Sequence, residues 1–368
     1  MGKGKVGVMI FLIFVSITAW VLWSIYSFFI YRRTSVAGKT VLITGGSTGI
    51  GRCIALRFLK LNAKVVVWDY SLDKLEKLSQ EANLIKSYRS DGEGEERDIS
   101  DETSSTQEGT HTPSHSNLVT SVVDFSNRIH VQRAAKLLGP VHIVVNAANL
   151  SGTKHFFDRP DESTERILFT NVMCSLVLAR VCLPSMLRQQ DGHFVTITDM
   201  KGLIGDGEHP DYAASQWAAI GVHESIQMMI AGKKGKRGKV HSTLICPYGI
   251  SSSSETISSS SSSSPSTLSL SSSMKGTTTK ATSSPKPPTE DRLNRTSIFN
   301  PLRMFSFMPR QVTPEEVAEY CVWAVCYGVE RVYIPNSLLF FPLLRILPVR
   351  WYLWIQSFFT SRKPLATS

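Results

Sequence analysis

The feature that most constrains the fold of this chain is a glycine-rich turn between a short apolar run and a segment with helical spacing. Residues 39–45, KTVLITG, predict a buried strand, and residues 49–63 predict an amphipathic helix. Spaced glycines in a strand-to-helix turn let the backbone approach a pyrophosphate, whose charge the N-terminus of the helix stabilises. We therefore predict a dinucleotide-binding turn made by Thr44, Gly45, Ser47, Thr48, Gly49, Ile50 and Gly51.

The same alternation of apolar runs and helical segments continues along the chain. Five further runs predict strands, at 63–69, 119–124, 141–148, 193–199 and 240–247. Strands that alternate with helices form βαβ units, so we predict an α/β fold, a Rossmann-like doubly wound parallel sheet. Such a sheet binds its ligands at the carboxyl ends of its strands.

Asp69 stands at the end of the second predicted strand, about 20 residues after the glycine turn. A carboxylate there can bind both hydroxyls of an adenosine ribose and repels the 2′-phosphate of NADP. Thr48, immediately before Gly49, is not a basic residue that would attract that phosphate. We therefore predict NAD rather than NADP as the cofactor. The alternative for Asp69 is an ordinary solvated carboxylate.

The N-terminal residues read as a membrane anchor. Residues 6–30 contain no charged residue over 25 positions. As a helix they would span about 37 Å, more than the ~30 Å hydrocarbon core of a bilayer. We expect 1–36 to be an uncleaved transmembrane anchor; a cleaved signal peptide, the alternative, has a shorter apolar region of about 7–15 residues. Positive charges flank both ends of the run, so its orientation stays open.

Two polar stretches interrupt the remaining sequence. Residues 86–118 are rich in Ser, Gly, Glu and Asp, and residues 251–290 hold 18 Ser in 40 positions. Neither stretch has enough apolar side chains to offset the chain entropy lost on folding. We expect a dinucleotide-binding core over 37–250 with a disordered insert at 86–118, followed by a disordered Ser-rich insert at 251–312.

Residues 313–368 form the last predicted unit. Thr313 and Glu316 predict a capping box, with Pro314 at the first helical position. Prolines and arginines interrupt the apolar residues 331–359 that follow, which disfavours a second membrane span. We expect an interfacial element or a lid over an apolar substrate. Ordinary core packing is the alternative.

Composition argues against several other classes of protein. The six cysteines form no CxxC pair and no Cys/His spacing, which argues against a disulfide scaffold and against a metal site. The formal net charge of +10 includes a basic run, KKGKRGK at 233–239, without interleaved aromatic residues. That pattern favours a solvated loop, or contact with anionic lipid headgroups, over nucleic-acid binding.

In their order and spacing, these motifs resemble the short-chain dehydrogenase/reductase family. TGGSTGIG (44–51) matches the family pattern TGxxxGxG, and Asn146-Ala147-Ala148-Asn149 stands where the family has NNAG. YAASQWAAIG (212–221) follows in the family's spacing. Within the family, the chain looks most similar to the membrane-anchored retinol dehydrogenase and 17β-hydroxysteroid dehydrogenase branch.

The resemblance implies NAD(P)-dependent oxidation or reduction of a lipophilic alcohol or carbonyl at a membrane. It implies the endoplasmic reticulum or a lipid droplet as the location, with the catalytic domain facing the cytoplasm, and it suggests a homodimer. It also implies cofactor contacts from Asp124, Asn146, Ala147, Ala148, Tyr212, Gln216 and Pro247.

The family's chemistry needs four side chains, and two of them are changed here. By resemblance, Tyr212 is the tyrosine that relays the proton and Asn171 is the supporting asparagine. The lysine expected four residues after the tyrosine is Gln216, and the serine expected thirteen residues before it is Asp199. The candidate catalytic residues are therefore Tyr212, Asn171, Asp199 and Gln216.

Both changes oppose ionisation of the tyrosine. A free phenol has a pKa of about 10, so about one in a thousand is ionised at pH 7. Gln216 brings no positive charge, and a carboxylate at Asp199, some ~5 Å away, would oppose a phenolate by ~3 kcal/mol at an effective dielectric near ~20. We expect Tyr212 to be a poor base unless one of three groups compensates: a protonated Asp199, Thr198, or the ammonium of Lys201.

Three functional hypotheses follow. The first is a membrane-bound, NAD-linked oxidoreductase of a lipophilic alcohol or carbonyl, with weak or lost activity. The second is a catalytically inactive NAD-binding member of the family that acts as a binding or scaffold protein. In the third, the inserts have abolished NAD binding too, and only a membrane scaffold is left.

Overall fold

A computed structural model describes Thr18 and residues 34–90, 117–152, 155–233, 239–250 and 312–359. The strands in these ranges are β1 (Thr40–Thr44), β2 (Lys64–Asp69), β3 (Leu118–Val122), β4 (Ile143–Asn146), β5 (Asp191–Ile197), β6 (Lys239–Pro247) and β7 (Arg331–Ile334). They form one parallel sheet in the order β3-β2-β1-β4-β5-β6-β7. The strand order reverses beside β1, so a ligand is expected in the crevice at the carboxyl ends of β1 and β4.

Helices cover both faces of this sheet, as parallel strands require. They are α1 (Gly49–Lys60), α2 (Leu72–Ser90), α3 (Arg128–Leu137), α4 (Asp161–Leu168), α5 (Cys174–Gln189), α6 (Pro210–Lys233), α7 (Pro314–Tyr327) and α8 (Val349–Phe359). One π-helical turn, Phe169–Met173, joins α4 to α5. A 3-10 stretch, Asn336–Ile346, connects β7 to α8.

The core consists mainly of two apolar clusters, one on each face of the sheet. Helices α1, α2 and α7 pack on one face, where Ile54 and Val317 meet Ile43 of β1. Helices α3, α5 and α6 pack on the other face, around Leu42 of β1. Because consecutive side chains of a strand point to opposite faces, both Leu42 and Ile43 are buried. This is why the central strands have unbroken apolar sequences.

The predicted α/β fold is confirmed, and all six predicted strands form. The seventh strand, β7, was not predicted, because its sequence RVYI opens the apolar stretch that we expected to be interfacial. It pairs with β6, and Val332 and Ile334 are buried in the sheet. For residues 331–334 the interfacial prediction is therefore wrong, and core packing applies. The capping box of Thr313 and Glu316 is confirmed.

Two predicted boundaries also shift. Helix α2 continues to Ser90 and β3 begins at Leu118, so both ends of the predicted 86–118 insert belong to regular elements. Extending a helix costs little once it is nucleated, and Leu118 packs into the apolar cluster beneath α2. The rest of that insert lies outside the described residues, as do most of the predicted anchor, the Ser-rich insert and the basic residues 234–238.

One helical stretch among the described residues is long and apolar enough to cross a membrane, Asp161–Gln189, which comprises α4, the π turn and α5. Its most apolar window is 56% buried inside the protein. Cys174, Leu178 and Met186 pack within the cluster that α5 shares with α3 and α6. The apolar character of this stretch is therefore accounted for by its place in the core.

Candidate active site

The glycine turn between β1 and α1 brings backbone against backbone. A Cβ on Gly51 would lie 2.1 Å from the carbonyl oxygen of Gly45, and a Cβ on Gly45 would lie 2.8 Å from the Cα of Ala148. Gly49 has a φ of +51°, which favours glycine, and open space where a side chain would stand. The turn is closed on the protein side and open at Gly49, which is the shape that a bound diphosphate needs.

Asp69 is tied directly to this turn. Its Oδ2 accepts a hydrogen bond of 3.1 Å from the backbone N–H of Ser47, and its Oδ1 accepts one of 2.8 Å from the N–H of Tyr70. The side-chain hydroxyl oxygen of Ser47 is buried and has no partner in the structure. Asp69 is thus a buried carboxylate held beside the turn, and the interpretation of Asp69 as a solvated strand-end carboxylate is wrong.

The end of β4 is bonded to the end of β1. The hydroxyl of Thr44 donates to the Oδ1 of Asn146 at 2.6 Å, and the N–H of Ala148 donates to the Thr44 hydroxyl oxygen at 3.3 Å. The N–H of Ala147 donates to the carbonyl of Thr44 at 3.2 Å. These bonds hold the Asn146–Ala148 segment beside the glycine turn.

The other predicted cofactor residues lie at the same edge of the sheet. Asp124, just after β3, accepts hydrogen bonds from the N–H and hydroxyl of Ser126 at 2.9 and 2.6 Å. Burial acts to raise the pKa of Asp124, but the bonds from Ser126 outweigh it and hold that pKa below its ordinary value. Pro247 ends β6, and Thr48 and Ile50 flank the start of α1.

Four side chains form a continuous chain of hydrogen bonds beside this edge. The Nε2 of Gln216 donates to the Oδ1 of Asn149 at 2.9 Å, and the Nδ2 of Asn149 donates to the hydroxyl of Tyr212 at 2.8 Å. The hydroxyl of Tyr212 in turn donates to the Oδ2 of Asp199 at 3.3 Å. Tyr212 and Gln216 lie one turn apart on α6, whereas Asp199 follows β5 and Asn149 follows β4. The structure therefore brings three of the four predicted catalytic residues together and adds Asn149.

The electrostatics of this chain disfavour a phenolate. Burial raises the pKa of Tyr212 well above its ordinary value, and the charge of Asp199 raises it further. Burial also raises the pKa of Asp199, although the N–H and the ammonium of Lys201 act to lower it. The amide of Gln216 supplies no charge to offset either effect. At neutral pH, the site therefore holds an un-ionised tyrosine.

Asn171, the fourth predicted catalytic residue, lies in the π turn and is hydrogen-bonded to Leu150 and Ser215. Its Oδ1 accepts from the N–H of Leu150 at 2.7 Å, and its Nδ2 donates to the carbonyl of Leu150 at 2.9 Å and to the hydroxyl of Ser215 at 2.8 Å. Asn171 therefore fixes the loop that carries Asn149 against α6.

Lys201 and Thr198 are the two other groups that could favour ionisation of Tyr212. Lys201 lies close to the tyrosine ring, whereas Thr198 is bonded elsewhere. The Nζ of Lys201 lies 5.4 Å from the ring centroid of Tyr212 and 2.6 Å from a carboxylate oxygen of Asp206. Thr198 bonds instead to the carbonyl of Ile245 and the Sγ of Cys246. The ammonium of Lys201 is thus neutralised by Asp206 and faces the ring of Tyr212.

Sequence reasoning also missed an ion pair beneath Tyr212, the predicted catalytic tyrosine. The Nη2 of Arg159 donates to the Oδ1 of Asp211 at 2.8 Å, and both side chains are almost completely buried. The same Oδ1 accepts from the N–H of Tyr212 at 2.8 Å, and Thr164 donates to Oδ2 at 3.3 Å. Asp211 thereby anchors the first turn of α6, from which Tyr212 projects. The basic residue and the carboxylate are too far apart in sequence for a local pattern to pair them.

The chain matches the family model described as short chain dehydrogenase over residues 39–112 and 119–262. It is 32% identical over 228 residues to Short-chain dehydrogenase/reductase family 16C member 6 of Bos taurus, covering 60% of this chain and 61% of that protein. It is 30% identical over 221 residues to Retinol dehydrogenase 10 of Rattus norvegicus, covering 59% and 63%. The chain thus spans about three fifths of the length of these relatives.

Solved structures share the fold. A chain assigned as an NAD(P) dependent gluconate 5-dehydrogenase from Beutenbergia cavernae aligns with a TM-score of 0.54 at 18% identity, covering 83% of this chain and 98% of that one. A chain assigned as a betaketoacyl-ACP reductase aligns with a TM-score of 0.52 at 16% identity, covering 81% and 96%. The matched family model, together with a glycine turn and a tyrosine placed as in that family, shows that this chain belongs to the short chain dehydrogenase family.

Proposed function

We propose that this protein binds NAD(H) and a lipophilic carbonyl or alcohol at a membrane surface, and that it transfers hydride between them slowly. The observation that carries the proposal is the un-ionised Tyr212, bonded to Asp199 at 3.3 Å with Gln216 in the position of the family's lysine. Several relatives carry the name retinol dehydrogenase, which supports a retinoid-like or similar lipid substrate.

The residues at the sheet edge fit a nicotinamide dinucleotide. The glycine turn leaves room for the diphosphate, the unpartnered hydroxyl of Ser47 offers it a donor, and the carboxylate of Asp69 suits a ribose with two free hydroxyls. That carboxylate supports NAD over NADP, because it would repel a 2′-phosphate. When bound, the nicotinamide supplies or accepts the hydride, whereas this chain's own residues must handle the proton.

The outer side of the C-terminal segment supports a membrane location. Within residues 336–354, Leu338 and Phe341 pack inward against a cluster that includes Met200 and Ile204, next to Asp199. The exposed side chains include Arg345 and Arg350 together with large apolar ones, among them Leu343, Ile346, Val349, Trp351 and Trp354. A surface of this composition suits the interface of a lipid bilayer, and we propose the endoplasmic reticulum or a lipid droplet, with this domain in the cytoplasm.

The competing function is an NAD-binding protein without turnover. It is favoured by the position of Gln216, which is only 2% exposed and whose Nε2 is already bonded to Asn149. An amide in that arrangement can neither lower the pKa of Tyr212 nor move a proton.

The two functions separate in one experiment on the detergent-solubilised full chain. NADH binding is followed by nucleotide fluorescence, and turnover is followed with all-trans-retinal. We expect NADH to bind and the rate to be at least ~100-fold below that of a relative with the full tetrad, the lower end of a general acid–base contribution. The double variant D199S/Q216K should raise the rate.

Each result bears on a different part of the proposal. If NADH fails to bind at millimolar concentration, both proposed functions are wrong, because each requires a bound dinucleotide. If NADH binds but neither the wild type nor D199S/Q216K turns over any lipid carbonyl, the inactive binding protein is favoured. If the wild type matches the relative, the argument from Tyr212 is wrong.

A further inference from the structure

The hydroxyl of Tyr212 has one hydrogen to give, and in this structure it is directed at a carboxylate. A phenol oxygen can accept two hydrogen bonds but can donate only one. Asn149 fills one acceptor position at 2.8 Å, and the phenol hydrogen goes to the Oδ2 of Asp199 at 3.3 Å. While Asp199 is ionised, Tyr212 therefore has no hydrogen left for a substrate oxygen.

Protonation of Asp199 reverses this arrangement. A carboxylic acid donates its own hydrogen, and the free acceptor position of the Tyr212 oxygen lies within hydrogen-bond reach of Oδ2. The phenol hydrogen is then released and can point toward a bound carbonyl. Asn149 can keep its bond in both states, because it donates to the oxygen and is unaffected by where the hydrogen points.

We propose that Asp199 is the proton reservoir of this site: when a carbonyl substrate is reduced, Asp199 gives up its proton through the hydroxyl of Tyr212 to the substrate oxygen. This inference rests on the proposed function. It assigns to Asp199 the work that the lysine supports elsewhere in the family, and it implies that reduction needs the protonated form of Asp199.

The step balances with a reduced nicotinamide as the reductant. The carbonyl carbon receives a hydride, with its two electrons, and the carbonyl oxygen takes the hydrogen of Tyr212. The proton of Asp199 passes to the oxygen of Tyr212, so the tyrosine ends as it began and Asp199 ends as a carboxylate. Solvent then returns a proton to Asp199, and the products are an alcohol and the oxidised dinucleotide.

The groups around Asp199 allow it to hold a proton. Its Oδ2 accepts from the hydroxyl of Tyr212 at 3.3 Å and its Oδ1 accepts from the N–H of Lys201 at 2.9 Å. The Lys201 ammonium, which is paired with Asp206, and the buried thiol of Cys246 interact with it electrostatically. Burial is the largest effect and raises the pKa of Asp199, and the charge of Asp206 adds to it, whereas the N–H and ammonium of Lys201 and the hydroxyl of Tyr212 act to lower that pKa. Reduction should therefore be fastest at acidic pH and should slow as the pH rises through the pKa of Asp199.

The first test measures the effect of the D199S substitution alone and in combination with Q216K. If Asp199 only inhibits the tyrosine, D199S alone should speed the reduction of all-trans-retinal by NADH. Under our proposal, D199S alone should slow it at least about tenfold at pH 6 and flatten the acidic rise, while D199S/Q216K should still be faster than the wild type. A faster D199S single variant would overturn the proposal.

The second readout does not depend on turnover. Infrared difference spectra of the NADH-bound protein should contain the carbonyl band of a protonated carboxylic acid that persists above pH ~5, beyond the pKa of about 3.9 of an ordinary Asp. The band should be absent in D199N and retained in D191N, a matched control at the opposite end of β5. If NADH binds but this band is absent in the wild type, Asp199 is not the reservoir, although the proposed function stands.

Discussion

Asn149 donates a hydrogen bond of 2.8 Å to the hydroxyl of Tyr212 from the position at which the family pattern NNAG has a glycine. The same side chain accepts a bond of 2.9 Å from Gln216, which replaces the family's lysine. Asn149 therefore pairs the Nε2 of Gln216, whereas the buried Oε1 of Gln216 has no partner in the structure. With glutamine in place of the lysine, a buried amide N–H at position 216 needs an acceptor, and the Oδ1 of Asn149 provides it.

Replacing Asn149 by glycine should release Gln216. The freed Nε2 of Gln216 can then bond to the ribose next to the nicotinamide, and one such hydrogen bond contributes about 1 kcal/mol, or about fivefold in affinity. We expect N149G to bind NADH several-fold more tightly in a fluorescence titration. N149D is the control, because it keeps the volume but cannot donate to Tyr212. Weaker binding by N149G would mean that Asn149 itself holds the cofactor.

Asp69 should set the preference between the two dinucleotides. Replacing it by the isosteric asparagine removes the charge that repels a 2′-phosphate and keeps an acceptor for the N–H of Ser47. We expect the ratio of NADPH to NADH affinity to rise at least about tenfold in D69N, which corresponds to ~1.4 kcal/mol. Binding of both nucleotides should be measured by titration at one ionic strength. An unchanged ratio would show that Asp69 does not face the ribose.

The glycine turn offers a pair of matched alanine variants. In G51A the new Cβ would meet the Gly45 carbonyl at 2.1 Å, so the turn must open. We expect a loss of about 1–3 kcal/mol in stability, as for overpacking, together with loss of NADH binding. In G221A, inside α6, nothing lies within 4 Å of the new Cβ. That variant should gain up to ~1 kcal/mol from helix propensity and keep NADH binding, as thermal unfolding and titration would show.

Replacing one member of the buried pair of Arg159 and Asp211 should destabilise the fold strongly, whereas replacing both should destabilise it much less. R159M or D211N alone leaves a buried charge without its partner, which typically destabilises by about 3–5 kcal/mol. The double variant R159M/D211N leaves neither charge, so its loss should be well below the sum of the two single losses. Urea unfolding of the three variants gives the coupling energy. Additive losses would show that the two charges do not interact.

Spacing along the chain was enough to predict the dinucleotide half of the site. The glycine turn and Asp69 are defined by a strand, a turn, a helix and a second strand that follow one another, so their contact is a local consequence of one βαβ unit. Asn149, after β4, and Tyr212, on α6, are 63 residues apart in sequence and meet only in the folded protein. No periodic pattern in the sequence predicts the contact between these two side chains. Strand β7 is not predicted because its sequence RVYI opens an apolar stretch whose composition indicates an interfacial segment.

Acid should weaken the fold through two buried histidines. Burial lowers the pKa of His193 to about 3, with His241 nearby adding to the effect, and burial lowers the pKa of His223 to about 4. In the unfolded chain both titrate near ~6.5, so below that pH the unfolded state binds more protons and the free energy of unfolding falls. Between about pH 6 and pH 4, each histidine should contribute a slope of up to ~1.4 kcal/mol per pH unit. Urea unfolding at several pH values should give this slope for the wild type. The ring of His193 is hydrogen-bonded to Thr243 at 2.7 Å. Replacing His193 by glutamine should remove about half of the slope that the two histidines contribute. If the slope of H193Q equals that of the wild type, His193 binds its proton as readily in the folded protein as in the unfolded chain.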